Sequence, residues 1–162
     1  MIKDDVYYMN QAIKQAEKAR IHDEVPIGCV IVKDGQVIAR AYNQREIKQR
    51  SDAHAEMLAI AKANRRLGTW RLSGCTLYVT LEPCPMCAGA ILQSRIDRVV
   101  YGAADPKGGC LGSCMNMYDI KGFNHYPLVR AGVEKEMCAE LLKTYFQAKR
   151  KNKIQKKHLL TE

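Results

Sequence analysis

The sequence predicts a three-layer α/β/α domain, a central sheet with helices on both faces, and three observations carry that prediction. Apolar, β-branched runs from Ile27 to Val32 and from Val37 to Tyr42 flank Lys33-Asp34-Gly35-Gln36, and Asp-Gly between such runs signals a hairpin. Cys75 to Leu81 is apolar without alternation, as in a strand buried on both faces. A helix beginning at Ala88 and a strand from Ile96 to Tyr101 follow it, so strand, helix and strand form a right-handed crossover with parallel strands.

The remaining elements follow from periodicity. Residues 5–20 place Val6, Met9, Ile13 and Ala16 on one face with Lys14, Glu17 and Lys18 outside, which predicts an amphipathic helix. Residues 53–67 predict a second helix, with Ser51 or Asp52 as its cap and Met57, Ile60, Ala61 and Leu67 facing inward. Pro83 ends the buried strand. Residues 102–126, rich in Gly, Asp and Asn, predict a long ordered loop or short helical turns. A short strand near Tyr126 to Val129 precedes a last helix from about Val133, with Met137, Leu141, Tyr145 and Ala148 as its buried stripe, and Trp70 is expected to cover the core.

At 162 residues the chain fits one domain, 1–162, with a basic, frayed helix end over about 147–162. No apolar run follows a basic start and no apolar stretch reaches membrane-spanning length, so a cytoplasmic protein with no membrane partner is expected. The net charge of +9 is concentrated in residues 143–157, which hold seven basic groups and no acidic one. Such a segment suits a polyanionic partner or, more plainly, a solvated helix end. Cys29 and Cys75, in apolar surroundings, read as small buried side chains.

The chemistry concentrates between Asp52 and Cys87. His54-Ala55-Glu56 and Pro83-Cys84-Pro85-Met86-Cys87 offer an imidazole, a carboxylate and two thiols. His54, Cys84 and Cys87 as zinc ligands leave one tetrahedral position open, as in catalytic sites, and Glu56 remains as a proton carrier. A lone Cys-x-x-Cys is also compatible with a redox pair, half a structural zinc knuckle, or coincidence. Each half of the motif opens a helix, whose free N–H groups favour thiolate. Cys110 and Cys114 are the candidates for a fourth ligand in a closed structural site, where the carboxylate of Glu56 has no purpose. The groups support hydrolytic deamination of an amidine-like carbon, one carboxylate serving successive proton transfers. His22, His125 and His158 lack a partner at ligand spacing.

These motifs resemble the His-x-Glu and Pro-Cys-x-x-Cys signature of the zinc cytidine/deoxycytidylate deaminase superfamily. Glu24-Val25-Pro26-Ile27-Gly28, Tyr42-Asn43, Leu77 to Cys84, Ser94-Arg95-Ile96 and Tyr101 to Lys107 extend the resemblance to the bacterial tRNA-specific adenosine deaminase family, over roughly residues 5–150. The resemblance implies a cytidine-deaminase-like domain with a mixed five-stranded sheet, one Zn2+ per chain, and a homodimer that converts the wobble adenosine of an arginine tRNA anticodon stem-loop to inosine. It also implies that Asn43 hydrogen-bonds the base, that Pro26, Ile27, Ala55 and Leu81 line its pocket, and that Asp105 contacts the neighbouring nucleotide. Lys107, Tyr145, Phe146, Lys149 and Arg150 become RNA-contact candidates. Plainer readings stand beside these roles: Asn43 as a turn residue, Pro26 and Leu81 as core, Asp105 as a turn start. Two departures from the family pattern are the cysteines at 110 and 114 and Gln147 in place of an arginine. A guanine or other free-base deaminase shares the zinc motif and does not need the basic tail. A catalytically inactive zinc module that binds RNA is the non-enzymatic alternative.

Overall fold

The computed structural model describes residues 3–161. Asp4 starts the first helix, α1 (Asp5–Ile21), its carboxylate accepting the Tyr7 N–H at 2.9 Å. The hairpin forms as expected, β1 (Gly28–Lys33) and β2 (Gln36–Tyr42) joined through Asp34 and Gly35, both at positive φ. A one-turn helix α2 (Arg45–Lys48), which periodicity is too short to reveal, precedes α3 (Ala55–Leu67). Then come β3 (Cys75–Leu81), α4 (Pro85–Gln93), β4 (Arg98–Ala103), β5 (Leu128–Ala131) and α5 (Lys135–Leu159). Residues 104–127 are irregular apart from a 3₁₀ turn at Met117–Asp119 and one bridge between Leu111 and Asn116.

The five strands form one mixed sheet in the order β2-β1-β3-β4-β5. β1 runs antiparallel to β2 and β3, while β3, β4 and β5 are parallel. Alternate side chains of the central strands enter two cores. Cys29, Ile31, Leu77, Val79 and Val99 pack with Ala59 and Ile60 of α3 and Ile91 of α4. Val30, Val32, Tyr78 and Val100 pack with Met9, Ala12 and Ile13 of α1 and Cys138 of α5. Apolar residues on both faces explain why these strands show no alternation in the sequence. α1 crosses β1 so closely that a Cβ on Gly28 would lie 2.0 Å from the Ala12 carbonyl oxygen, which only glycine avoids.

Several inward faces differ from the expected ones. Val6 is 42% exposed, and α1 instead buries Tyr8, Met9, Ala12, Ile13, Ala16 and Ala19. In α3 the buried stripe is Ala55, Ala59, Ile60 and Ala63, with Ala61 exposed, because the small residues face the sheet. The cap is His54, not Ser51 or Asp52, and α4 begins at Pro85, ahead of Ala88. Trp70 is 54% exposed, covered by the Arg71 and Arg95 guanidinium groups at 4.6 and 5.7 Å instead of covering the core. Only Cys138 of α5 is buried, and Met137 beside it is exposed; Ala148 is exposed because the helix meets the sheet through its first turns and every residue from 146 to 161 is exposed. Among the described residues, no helix is long and apolar enough to cross a membrane.

One ion cluster fastens α1 to the sheet. The Asp5 carboxylate, its side chain 10% exposed, accepts from Arg98 at 2.8 and 2.5 Å, from the Tyr78 hydroxyl at 2.7 Å and from Arg130 at 2.5 Å. The Arg98 hydrogen bond, helped by Tyr78 and Arg130, holds its pKa well below the usual carboxylate range against the opposing effect of burial. A depressed folded-state value means stabilisation that is complete above the unfolded-state pKa and is lost as pH falls through the folded one. Asp5→Asn is therefore expected to cost about 1–3 kcal/mol at pH 7 in denaturant unfolding, the gap to wild type closing as pH drops below about 4.

Candidate active site

His54 and Cys84 hold equivalent places in the fold. Each is the N-cap of its helix, α3 or α4, with extended backbone (φ −71° and −75°), and each gives its carbonyl to the first helical hydrogen bond, from Leu58 N–H at 3.0 Å and Ala88 N–H at 2.8 Å. Neither side chain caps its own helix, so both are free to point elsewhere, and they point at one another. Pro85 at the first position of α4 has no N–H to leave unpaired. One turn on, Cys87 returns to the same point.

The Cys84 and Cys87 sulfurs lie 3.7 and 3.5 Å from His54 Nδ1, and the three ligand atoms are all within 4.8 Å of one another. Tetrahedral zinc with bonds of about 2.1 Å to nitrogen and about 2.3 Å to sulfur spaces those atoms about 3.6 Å apart, so the donor set fits the ion. The Cys87 thiol, and then His54, hold Cys84 down at about 4 against burial, while pairing with Cys84 and burial push Cys87 up. His54 is raised by its Cys84 partner. A divalent cation displaces protons from such a pair. Neither Cys110 nor Cys114 belongs to the cluster: Cys110 is buried with its sulfur 3.6 Å from the Gly108 carbonyl oxygen, and Cys114 is exposed, 3.1 Å from that of Pro106.

Glu56, in the first turn of α3, is 4% exposed and opens on the same cavity as the cluster, of about 220 Å³. Burial pushes its carboxyl up, opposed by its own backbone N–H and by Cys87. The cavity wall gathers Ile27, Asn43, Ala55, Leu81 and Asp105, and Val25 and Arg45 join them. Pro26 is buried and does not line it; in an extended segment alternate residues face one way, so Val25 and Ile27 take the wall. Asn43 is fixed at 6% exposure, its amide donating to the Val25 carbonyl at 3.3 Å and its oxygen accepting the Arg45 N–H at 3.2 Å. Beneath it, fully buried Glu24 accepts the Glu46 N–H at 2.9 Å.

Beyond Asp105 a second cavity of about 640 Å³ carries Lys107, Phe146, Lys149 and Arg150 on its rim and shares Val25, Leu81 and Asp105 with the first. Lys153 adds a cation that the motif comparison did not single out. Tyr145 faces away, its hydroxyl donating to the Asp23 carbonyl at 3.2 Å, and Lys149 also meets the Asp23 carboxylate at 2.6 Å. The largest omission from the sequence reading is Glu82, a cavity residue whose charge directly before Pro83-Cys84, at the end of a buried strand, is the signal that marks it. Burial works to raise its pKa, yet the Ser113 hydroxyl and three backbone N–H groups outweigh it and hold the pKa below the ordinary glutamate value. His125 meets the Ile96 carbonyl oxygen at 2.8 Å and His22 stacks on Tyr42 at 5.8 Å; neither approaches the metal cluster.

Comparison with known proteins agrees with this arrangement. Residues 3–150 match the MafB19-like deaminase family. The chain is 55% identical to the tRNA-specific adenosine deaminase of Bacillus subtilis (strain 168), covering 98% of each chain, and 42% identical to that of Haemophilus influenzae, covering 96% of this chain and 91% of the other. A solved structure from work on A-to-I editing by tRNA:A34 deaminases at the wobble position is 46% identical, with a TM-score of 0.81 over 84% of this chain and 99% of that one. Guanine deaminase from Bacillus subtilis, 30% identical, has a TM-score of 0.63 over 92% and 95% of the two chains. With its mixed five-stranded sheet, its His/Cys/Cys cluster and this kinship, the chain belongs to the MafB19-like deaminases and, among them, to the tRNA-specific adenosine deaminases.

Proposed function

We propose that this chain holds one Zn2+ through His54, Cys84 and Cys87 and, as a cytoplasmic homodimer, hydrolyses the wobble adenosine of an arginine tRNA anticodon to inosine. The observation that carries the reading is the placement of buried Glu56 beside the three-ligand cluster, in a small cavity that opens onto a basic groove. When bound, the metal supplies Lewis-acid chemistry, lowering the pKa of water from about 15.7 towards about 7. Glu56 moves the protons: its carboxylate takes one from the attacking water and gives it to the purine ring nitrogen as the carbon–oxygen bond forms at the amidine carbon, then takes the proton of the new hydroxyl and gives it to the amine. The carbon–nitrogen bond then breaks as the carbonyl forms, releasing ammonia. Asn43 keeps one amide hydrogen and one oxygen lone pair after its bonds to Val25 and Arg45, which suits a purine edge carrying both donors and acceptors. Ile27, Ala55 and Leu81 orient the ring and exclude water.

The groove supports RNA over a free base, because Lys107, Lys149, Arg150 and Lys153 line it with positive charge suited to phosphates, and Phe146 offers a ring for stacking. Replacing Lys149, Arg150 and Lys153 with glutamine is expected to raise KM for a stem-loop and to reduce the logarithmic salt slope of binding by about 2, at roughly 0.7 per lost phosphate contact. Binding isotherms across a salt series read that slope directly. For the dimer, Ile120, Phe123 and Tyr126, 46%, 39% and 41% exposed in one loop, supply apolar surface. The arginine preference is tested by timing inosine formation in an arginine anticodon stem-loop against other stem-loops given adenosine at the wobble position. Faster conversion of the arginine stem-loop is the expected result, and equal rates on all of them would remove the claim.

A further inference from the structure

Glu82 lies between the end of β3 and the Pro83-Cys84 turn, 2% exposed, and its carboxylate gathers a whole loop. Oε1 accepts the Asp105 N–H at 3.1 Å and the Ser113 hydroxyl; Oε2 accepts the Leu111 N–H at 3.0 Å and the Ser113 N–H at 3.1 Å. Three of these donors are backbone groups of a segment that has, apart from the Leu111–Asn116 bridge, no ladder to satisfy them. Charge-assisted bonds to a buried carboxylate are strong, and deleting the acceptor leaves the donors unpaired. The fit around the anion is tight. A Cβ on Gly109 would lie 2.3 Å from Oε2, so any larger residue there displaces the carboxylate. A second tie, from Cys110 N–H to the Pro83 carbonyl at 2.9 Å, holds the loop against the same turn.

What this clamp places is the wall between the two cavities. Asp105 is pinned through its N–H by Glu82, and its own carboxylate accepts the Lys107 N–H at 3.0 Å, which sets Lys107 on the groove rim. We propose that Glu82 is a positioning residue: by holding Asp105 and Lys107 at the cavity mouth it governs binding of the nucleotide next to the target base, without itself carrying out the proton transfers. The proposal rests on the RNA-substrate reading given above. It differs from a purely structural role, which would lower thermal stability or the active fraction and leave KM alone.

The test measures kcat, KM and zinc content for Glu82→Gln and Ser113→Ala on the anticodon stem-loop. Glutamine keeps the shape but turns an NH2 group towards N–H donors. Glu82→Gln is expected to raise KM about ten-fold and Ser113→Ala about three-fold, with kcat within about two-fold of wild type and zinc unchanged. The kcat/KM ratio between stem-loops that differ only in the neighbouring nucleotide should also narrow in Glu82→Gln. Ser113 is exposed, so its variant carries the test even if Glu82→Gln fails to fold. Unchanged KM in the folded variants overturns the proposal, as does a fall in kcat with KM held. Absence of turnover by the wild type would count against the substrate reading instead.

Discussion

Glu56→Gln is expected to lower kcat on the stem-loop by a factor of about 10²–10⁴, the range for loss of a general acid–base, while one zinc per chain is retained. Glu56 is 4% exposed and contributes nothing to the ligand set, so the amide fills the same space and leaves His54, Cys84 and Cys87 in place. It cannot, however, accept a proton from water and pass it on. Single-turnover rates with metal analysis on the same sample separate the two effects. Turnover within ten-fold of wild type would remove Glu56 from the mechanism. A wild type that binds RNA and never turns it over would favour the non-enzymatic module.

Cys87→Ala strikes the other half of the site and is expected to take zinc content well below one per chain and activity below about 1% of wild type, because a two-ligand remnant no longer matches the metal. Cys87 is fully buried, so metal loss also appears as lost stability. A ligand present at about 1,000 times its dissociation constant stabilises the folded state by about 4 kcal/mol, and the melting temperature of wild type should fall on chelation and recover with zinc. A redox role for Cys84 and Cys87 predicts the opposite pattern: no bound zinc and a reversible disulfide.

The metal cluster was legible because its signal is local. A histidine and a Cys-x-x-Cys pair each opening a helix leave little freedom in where their side chains meet, and the sheet brings the two helix starts together. The hairpin was legible through Asp34-Gly35, and β3 through its unbroken apolar run. Helix faces were harder to read. In α3 the residues against the sheet include alanines at 55, 59 and 63; a search for large apolar side chains finds Ile60 and Leu67, which do pack on the core, but passes over these alanines and selects Met57. In α5 the apolar spacing runs on to Ala148, past the point where the helix leaves the sheet, and Met137 in the first turn is half exposed beside buried Cys138, tertiary facts that periodicity does not contain. The charge of Glu82 at the end of a buried strand is visible in the sequence, but its partners are not: its four hydrogen bonds go to residues 23 to 31 positions away, within a loop whose course no local pattern specifies.

A zinc site of this kind suits free-base and RNA substrates alike, so in the proposed function substrate choice rests on Asn43, the Asp105 wall and the basic groove. The measurement that tests it most directly is deamination by the purified protein of three substrates side by side: an arginine anticodon stem-loop with adenosine at the wobble position, free adenosine, and guanine. Conversion of the stem-loop adenosine to inosine, with kcat/KM far above either small substrate, is the predicted result. Turnover of guanine with none of the stem-loop would contradict it.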